Sequence, residues 1–300
     1  MRRLASLSLL ALLSTTIACD KGGTGGSASP GSGAAETEPN WGYEDASSAD
    51  MAAIPPALAD SDIDGIHERG VTLWRMQRAM RLGDRAFAGF VGVTAAKFQA
   101  LTSIDAGGSS GEVAFYRWDD ADLQDGEASA DEARRWVVVS VTLDPDQPLD
   151  PQELDAPPTP EQQRTLAALS LAQAKAEAGF AGARWVAYTF REQQIIDGVA
   201  TGGRQTRVYL LGADDKSPDL EYTVVDPRKR KQPPTITEER LHLPAGAAGK
   251  LPLTTPALAP GPSTIARAVA IAAVTNKPVE IVDASETHWS VSPSGGLTRP

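Results

Sequence analysis

Three aspartates at alternating positions, Asp60, Asp62 and Asp64, are followed directly by Gly65. These residues match positions 1, 3, 5 and 6 of the calcium loop of an EF-hand, where alternate carboxylates point inward and the glycine makes the turn. Position 12 of that loop needs a bidentate glutamate, and Val71 stands there instead. Because two of about seven oxygen ligands are lost, we predict no functional calcium site. The alternative role is structural, with Asp64 capping a helix that begins behind it.

Other motifs of enzyme chemistry are missing from the sequence. The three histidines, His67, His242 and His288, form neither an HExxH motif nor a closely spaced pair. The sequence also has no GxSxG elbow, no P-loop and no GxGxxG after a strand. We therefore predict no catalytic residue, no metal ligand and no cofactor. Catalysis by paired carboxylates stays open as an alternative, because 39 acids offer many pairs and a sequence gives no distances.

Two charge clusters could bind ions or surfaces. Residues 119–132 carry seven carboxylates and could hold a divalent ion loosely, but a solvated hairpin with an Asp125-Gly126 turn is favoured. The basic run 228–231, "RKRK", could contact anionic lipid or polysaccharide, but an exposed turn before Pro233-Pro234 is favoured.

Aromatic residues suggest one more binding surface. Trp185, Tyr188 and Tyr209 could form an exposed strip that binds sugar or peptide. Burial in the core is the favoured interpretation, because aromatic side chains in helices and strands usually pack. The same prediction applies to Trp74, Trp118, Trp136 and Trp289.

The only cysteine, Cys19, follows a short basic start and an apolar run from Leu4 to Leu13. This layout is typical of a secretory signal peptide, and the run is too short to span a bilayer. The sequence "TIAC" at its end resembles the lipobox of bacterial lipoproteins, with Thr16 at the position where leucine is usual. The resemblance implies cleavage after Ala18 and attachment of a lipid to Cys19. Ordinary signal-peptide cleavage at the same place is the alternative.

The segment behind Cys19 has the composition of a flexible tether. Residues 20–59 contain 25 Gly, Ser, Ala or Pro among 40 positions and show no apolar periodicity. We predict a signal peptide over 1–18, a lipidated tether over 19–59 and a globular domain over 60–295. The predicted location is the cell envelope, with the domain held on a membrane by its lipid and facing the periplasm or the exterior.

Charge and size limit the function of the folded part. The net charge is −11, and removal of Arg2 and Arg3 with the signal peptide makes it −13, so nucleic-acid binding is not expected. The folded part can form no disulfide, and packing alone must hold it. A protein or glycan partner is compatible with this composition, but the sequence identifies neither.

Hydrophobic periodicity predicts two helices followed by strands. The first helix covers 66–82 and extends towards Val91, and strands follow at 111–118 and 134–143. The Pro-rich stretch 144–160 is expected to be a loop or linker. Thr159, Pro160 and Gln162 form a capping-box start for a helix that ends near 179–182.

The rest of the chain is predicted to be mainly strands. Residues 184–192 and 204–211 should pair across a long Gly-bearing loop, and 263–275 should be a buried helix capped by Ser263 with Asn276 beyond its end. Residues 244–262 should be a Pro-rich connection. Further strands are predicted over 220–226, 235–243, 279–283 and 287–291.

Separate blocks of helix and strand indicate an α+β fold with helices packed on antiparallel sheet. A helix followed by strands occurs twice, which suggests two similar halves, 60–145 and 159–295. The leading hypothesis for function is a membrane-anchored exported lipoprotein with a non-catalytic binding or structural role. The alternative is a secreted hydrolase that uses paired carboxylates.

Overall fold

The computed structural model describes residues 63–91, 98–118, 133–196, 199–214, 217–227, 233–242, 252–255 and 259–299, all within the compact unit Asn40–Pro300. The signal peptide, Cys19, the tether and both charge clusters lie outside the described residues. Predictions about them therefore stay predictions.

Helix α1, Ile63–Val91, packs on one face of a five-stranded antiparallel sheet, sheet A. Its apolar residues recur at helical spacing, and Leu73, Met76, Met80 and Phe87 are buried against that sheet. The strands of sheet A are β1 (Phe98–Ile104), β2 (Ser110–Arg117), β3 (Arg134–Leu143), β4 (Asp146–Pro148) and β5 (Gln152–Ala156).

Strand β3 is covered on both faces, which explains its continuous run of valines. Val137 and Val139 belong to the cluster under α1, as the alternation predicts. Val138 points the other way and packs near Leu166 of helix α2, Pro160–Gly179. A strand buried on both sides has no polar face to display.

Helix α2 also covers a second antiparallel sheet, sheet B. Its Leu169, Ala172 and Ala176 pack on Val208 and Leu210 of that sheet. The order of sheet B is β6 (Trp185–Ile196), β7 (Val199–Gly212), β8 (Asp219–Val225) and β9 (Thr235–His242).

Helix α3, Pro262–Thr275, packs against α1 and a small third sheet, sheet C. Gly70 of α1 lets the two helices approach closely, since a Cβ there would lie 2.7 Å from the Cβ of Ile265. Sheet C contains β10 (Leu253–Thr254), β11 (Val279–Val282), β12 (His288–Val291) and β13 (Leu297–Thr298), and its β10–β11 pair is parallel.

These elements confirm the predicted α+β class, with a helix followed by an antiparallel meander in α1–β3 and again in α2–β9. Two predicted loops are wrong. The stretch 144–160 contains β4 and β5, which both pair with β3. Pro148, the last residue of β4, is tolerated because this strand lies at a sheet edge. The predicted connection 244–262 contains β10.

The predicted long loop between the first two strands of sheet B is also wrong. Strands β6 and β7 continue to pair as far as Ile196 and Val199, so only residues 197 and 198 separate them. The Asp197-Gly198 dipeptide in the sequence is a strong signal for a two-residue hairpin connection.

The helix starts give one confirmed and one wrong prediction. Thr159 and Gln162 form the predicted capping box at the start of α2. Ser263, by contrast, lies inside α3, whose N-cap is Gly261. Asn276 ends α3 in the left-handed conformation with φ 51°, as its place beyond the helix predicts.

Candidate functional site

Among the described residues, buried charged side chains are concentrated on the face of sheet B that looks towards α1 and α3. Strand alternation places Gln205, Arg207 and Tyr209 of β7 on this face, while Val208 and Leu210 face α2. The same alternation in β8 separates polar from apolar side chains. The polar side chains on this face of the sheet, together with the arginines that reach it from the two covering helices, are called the ionic layer. Its members are Arg69, Glu192, Gln205, Arg207, Tyr209, Asp219, Glu221 and Arg267.

Arg207 is at the centre of the ionic layer. Its Nε donates to Glu192 Oε1 over 2.5 Å, and its Nη1 donates to Glu221 Oε1 over 3.1 Å. All three side chains are at least nine-tenths buried. Each carboxylate also receives a neutral donor, Gln205 at 2.8 Å for Glu192 and Tyr209 at 3.0 Å for Glu221.

The two covering helices each reach the layer through one arginine. Arg69 of α1 is 2% exposed and donates from Nη2 to Glu192 over 3.3 Å. Arg267 of α3 forms two hydrogen bonds to Asp219, over 2.9 and 2.6 Å. The backbone N–H of Gly212 donates to the same carboxylate over 2.9 Å. Such forked pairs fix the geometry of both partners.

Tyr209 enters the layer as a neutral donor. Burial, and then the negative charge of Glu221, raise the pKa of Tyr209 well above its ordinary value of 10. Its hydroxyl therefore keeps its proton at neutral pH and donates to Glu221. In the ionic layer as a whole, arginines are matched with carboxylates, and these contacts fix the orientation of the side chains that make them.

A further acid, Asp84, lies outside the ionic layer, on α1. Burial raises the pKa of Asp84 from 3.8 to about 6. Its charge is close enough to Tyr188 to add to the effect of burial in raising the pKa of that tyrosine. Asp84 is thus an acid that changes charge near neutral pH.

A small cavity of about 240 Å³ opens between the first turn of α1 and sheet C. Its lining consists of Ile63, Asp64, His67, Trp289, Leu297 and Arg299. The guanidinium of Arg299 lies 5.4 Å from the centre of the Trp289 ring, and the indole N–H donates to Asp283 over 2.9 Å. Asp64 is the carboxylate among the described residues of this lining.

Hydrogen bonds hold two turns of sheet C near this cavity, one at Gly295 and one at Asp283. His67 Nε2 contacts the carbonyl oxygen of Gly295. Hydrogen bonds from Ser285, Trp289 and Thr287 hold the pKa of Asp283 well below its usual range, although burial opposes them.

The residues of the calcium pattern do not form a loop where they are described. Positions 4 to 12, Ile63–Val71, lie within α1, and Val71 packs against the core of sheet C. Asp64 lies inside the first turn of the helix, so its predicted role as the cap is wrong. Asp60 and Asp62 are outside the described residues. No group of three or more potential metal-ligating side chains occurs in the described part of the chain.

The predicted aromatic strip is not formed, in line with the favoured core interpretation. Tyr188 and Tyr209 are opposite each other under α1, while Trp185 packs on the α2 side and donates to Pro218 O over 2.7 Å. Trp118, Trp136 and Trp289 are buried as predicted, and Trp74 is partly buried.

Sequence reasoning missed the ionic layer. The alternation of polar and apolar residues in "RQTRVYLL" and "DLEYTVV" indicates a strand with one solvated face. That face is instead covered by helices that are distant in sequence. The acids Asp219 and Glu221, at alternate positions of one strand, and Arg207, between polar residues of the strand before it, are the signal that could have identified it.

Comparisons with known proteins found no matching family, no similar curated protein and no similar solved structure. Among the described helices, none is both long enough and apolar enough to cross a membrane.

Proposed function

We propose that this chain is an exported lipoprotein, held on a membrane by a lipid on Cys19, whose folded part has a non-catalytic binding or structural role. The observation that carries the proposal is the position of the only cysteine, directly after a signal-peptide-like segment that ends in "TIA".

The arrangement of the buried acids supports the non-catalytic part of the proposal. Glu192, Asp219 and Glu221 each accept hydrogen bonds from an arginine, and each also accepts one from a neutral donor. Carboxylates held in this way fix the positions of their neighbours, which supports a structural role for them.

The test is Cys19→Ser in a cell that processes bacterial lipoproteins. We expect this variant to lose a radiolabelled fatty acid and to leave the membrane fraction. Thr16→Leu is the matched control, because it restores the usual lipobox residue and keeps the thiol, and it should remain membrane-bound. Membrane retention of Cys19→Ser with the lipid mass intact would refute the anchor.

A further inference from the structure

A run of nine apolar residues comes shortly before helix α1 in the sequence. Residues 51–59, "MAAIPPALA", contain no polar side chain, whereas residues 36–50 before them are rich in acids and serine. Runs of more than three or four apolar residues are seldom left in water unless they make a functional contact. We call residues 51–59 the apolar run, and its composition indicates that another surface covers it.

The cavity between the first turn of α1 and sheet C offers a surface of the matching kind. Trp289 in its lining is buried in the apolar cluster of sheet C, and Ile63 and Leu297 pack against that cluster. The volume of about 240 Å³ is smaller than the roughly 300–1,000 Å³ that is usual for pockets that bind drug-sized ligands. A few side chains of a peptide segment suit this cavity better than a small molecule does.

The two prolines of the apolar run favour an extended backbone. Pro55 restricts Ile54 to the extended or polyproline region, and Pro56 restricts Pro55 in the same way. Proline-rich segments bind grooves that are lined by aromatic side chains, because a backbone that is already stiff loses little entropy on binding. Trp289 supplies an aromatic side chain of this kind in the cavity.

Connectivity and charge favour the apolar run over other occupants of the cavity. Three residues, 60–62, separate the run from Ile63, which is itself part of the cavity lining. A linker this short gives the run an effective concentration of about millimolar at the cavity, so a weak contact is enough to hold it. The aspartates at positions 60 and 62 also complement the positive charge of Arg299 in the lining.

We propose that residues 54–58 of the apolar run dock in this cavity, against Trp289 and Leu297. The docking joins the end of the predicted tether to the folded part and leaves residues 20–50 as the free part of the tether. The inference does not depend on the lipid anchor, because the contact forms within one chain whether or not Cys19 carries a lipid.

Two single cysteines at matched positions test the docking. Leu58→Cys lies in the apolar run and Ser48→Cys lies in the tether before it, and each position is followed by alanine and then aspartate. Both variants are made in a Cys19→Ser background, which has no other thiol. The rate of labelling by iodoacetamide is measured in buffer and in urea, and the rate in urea corrects for the intrinsic reactivity of each thiol.

After this correction, we expect Leu58→Cys to react about tenfold more slowly in buffer than Ser48→Cys. Leu297→Asp places a charge in the cavity lining and should remove most of this difference. Thr298→Asp adds the same charge at the next residue, which is exposed, and should leave the difference unchanged. If Leu297→Asp fails to fold, Ile63→Asp provides the same change on the α1 side of the cavity.

Equal rates at the two cysteines would overturn the docking, as would slow labelling of Leu58→Cys that Leu297→Asp leaves unchanged. Protection that increases with protein concentration would assign the apolar run to a contact with a second copy of the chain. Protection that occurs only in the presence of lipid vesicles would assign the run to the membrane. Either of these last two results would also overturn docking within the chain.

Discussion

At the scale of single residues, Asp84 links stability to pH. Its pKa is raised by burial to about 6, above the unfolded value of 3.8. The fold therefore binds the proton more tightly than the unfolded chain does. The stability that this protonation gives is complete below pH 3.8 and is lost as the pH rises through about 6.

Asp84→Asn should remove the stability loss that occurs as the pH rises. We expect the variant to gain up to about 3 kcal/mol in the free energy of unfolding at pH 8 and under about 1 kcal/mol at pH 4. Urea unfolding at both pH values measures the difference, with the exposed Asp150→Asn as control. An equal gain in the free energy of unfolding at both pH values would show that burial of the charge does not cause the gain.

Glu192 is the residue on which the ionic layer most depends. Glu192→Gln removes the charge that faces both Arg69 and Arg207, and should lower the free energy of unfolding by about 3–5 kcal/mol. The half-exposed Glu238→Gln should cost under about 1 kcal/mol, because water screens its pair with Arg240. Denaturant midpoints compare the two, and similar losses would contradict the assigned role of burial.

At the scale of elements, the starts of α2 and α3 provide a matched pair of substitutions. Thr159 accepts from the N–H of Gln162 over 3.3 Å, so Thr159→Ala should cost about 1 kcal/mol. Ser263 caps nothing, and its buried hydroxyl has no hydrogen-bond partner in the described structure. Ser263→Ala should be neutral or stabilising. Thermal unfolding measures both, and a larger loss for Ser263→Ala would contradict the cap assignment.

Elements that depend on local sequence signals were predicted correctly. The capping box at Thr159 and the alternating valines of β3 depend on neighbouring residues, and both are found as predicted. Strands β4 and β5 could not be predicted in this way, because the prolines in and around them indicate a loop, and Pro148 is tolerated in β4 only because that strand lies at a sheet edge. The ionic layer was missed for a similar reason, since Arg69 and Glu192 are 123 residues apart.

At the scale of the whole molecule, the predicted boundary near Asp60 separates a tether from a folded body. Limited proteolysis should cut first within residues 20–59, where glycine, serine, alanine and proline predominate, and leave a resistant core that includes α1. Mass spectrometry of the fragments locates the cuts. First cleavage inside 61–143, with loss of that part, would contradict the boundary.

The contact of His67 with Gly295 joins residues 228 positions apart in the chain. Synthesis proceeds from the N-terminus, so the first turn of α1 exists long before the β12–β13 hairpin that it contacts. Closing so large a loop costs entropy before any contact compensates for it, and chains of high contact order fold slowly. The start of α1 therefore remains uncovered in the nascent chain, and folding can be completed only after the hairpin has been made.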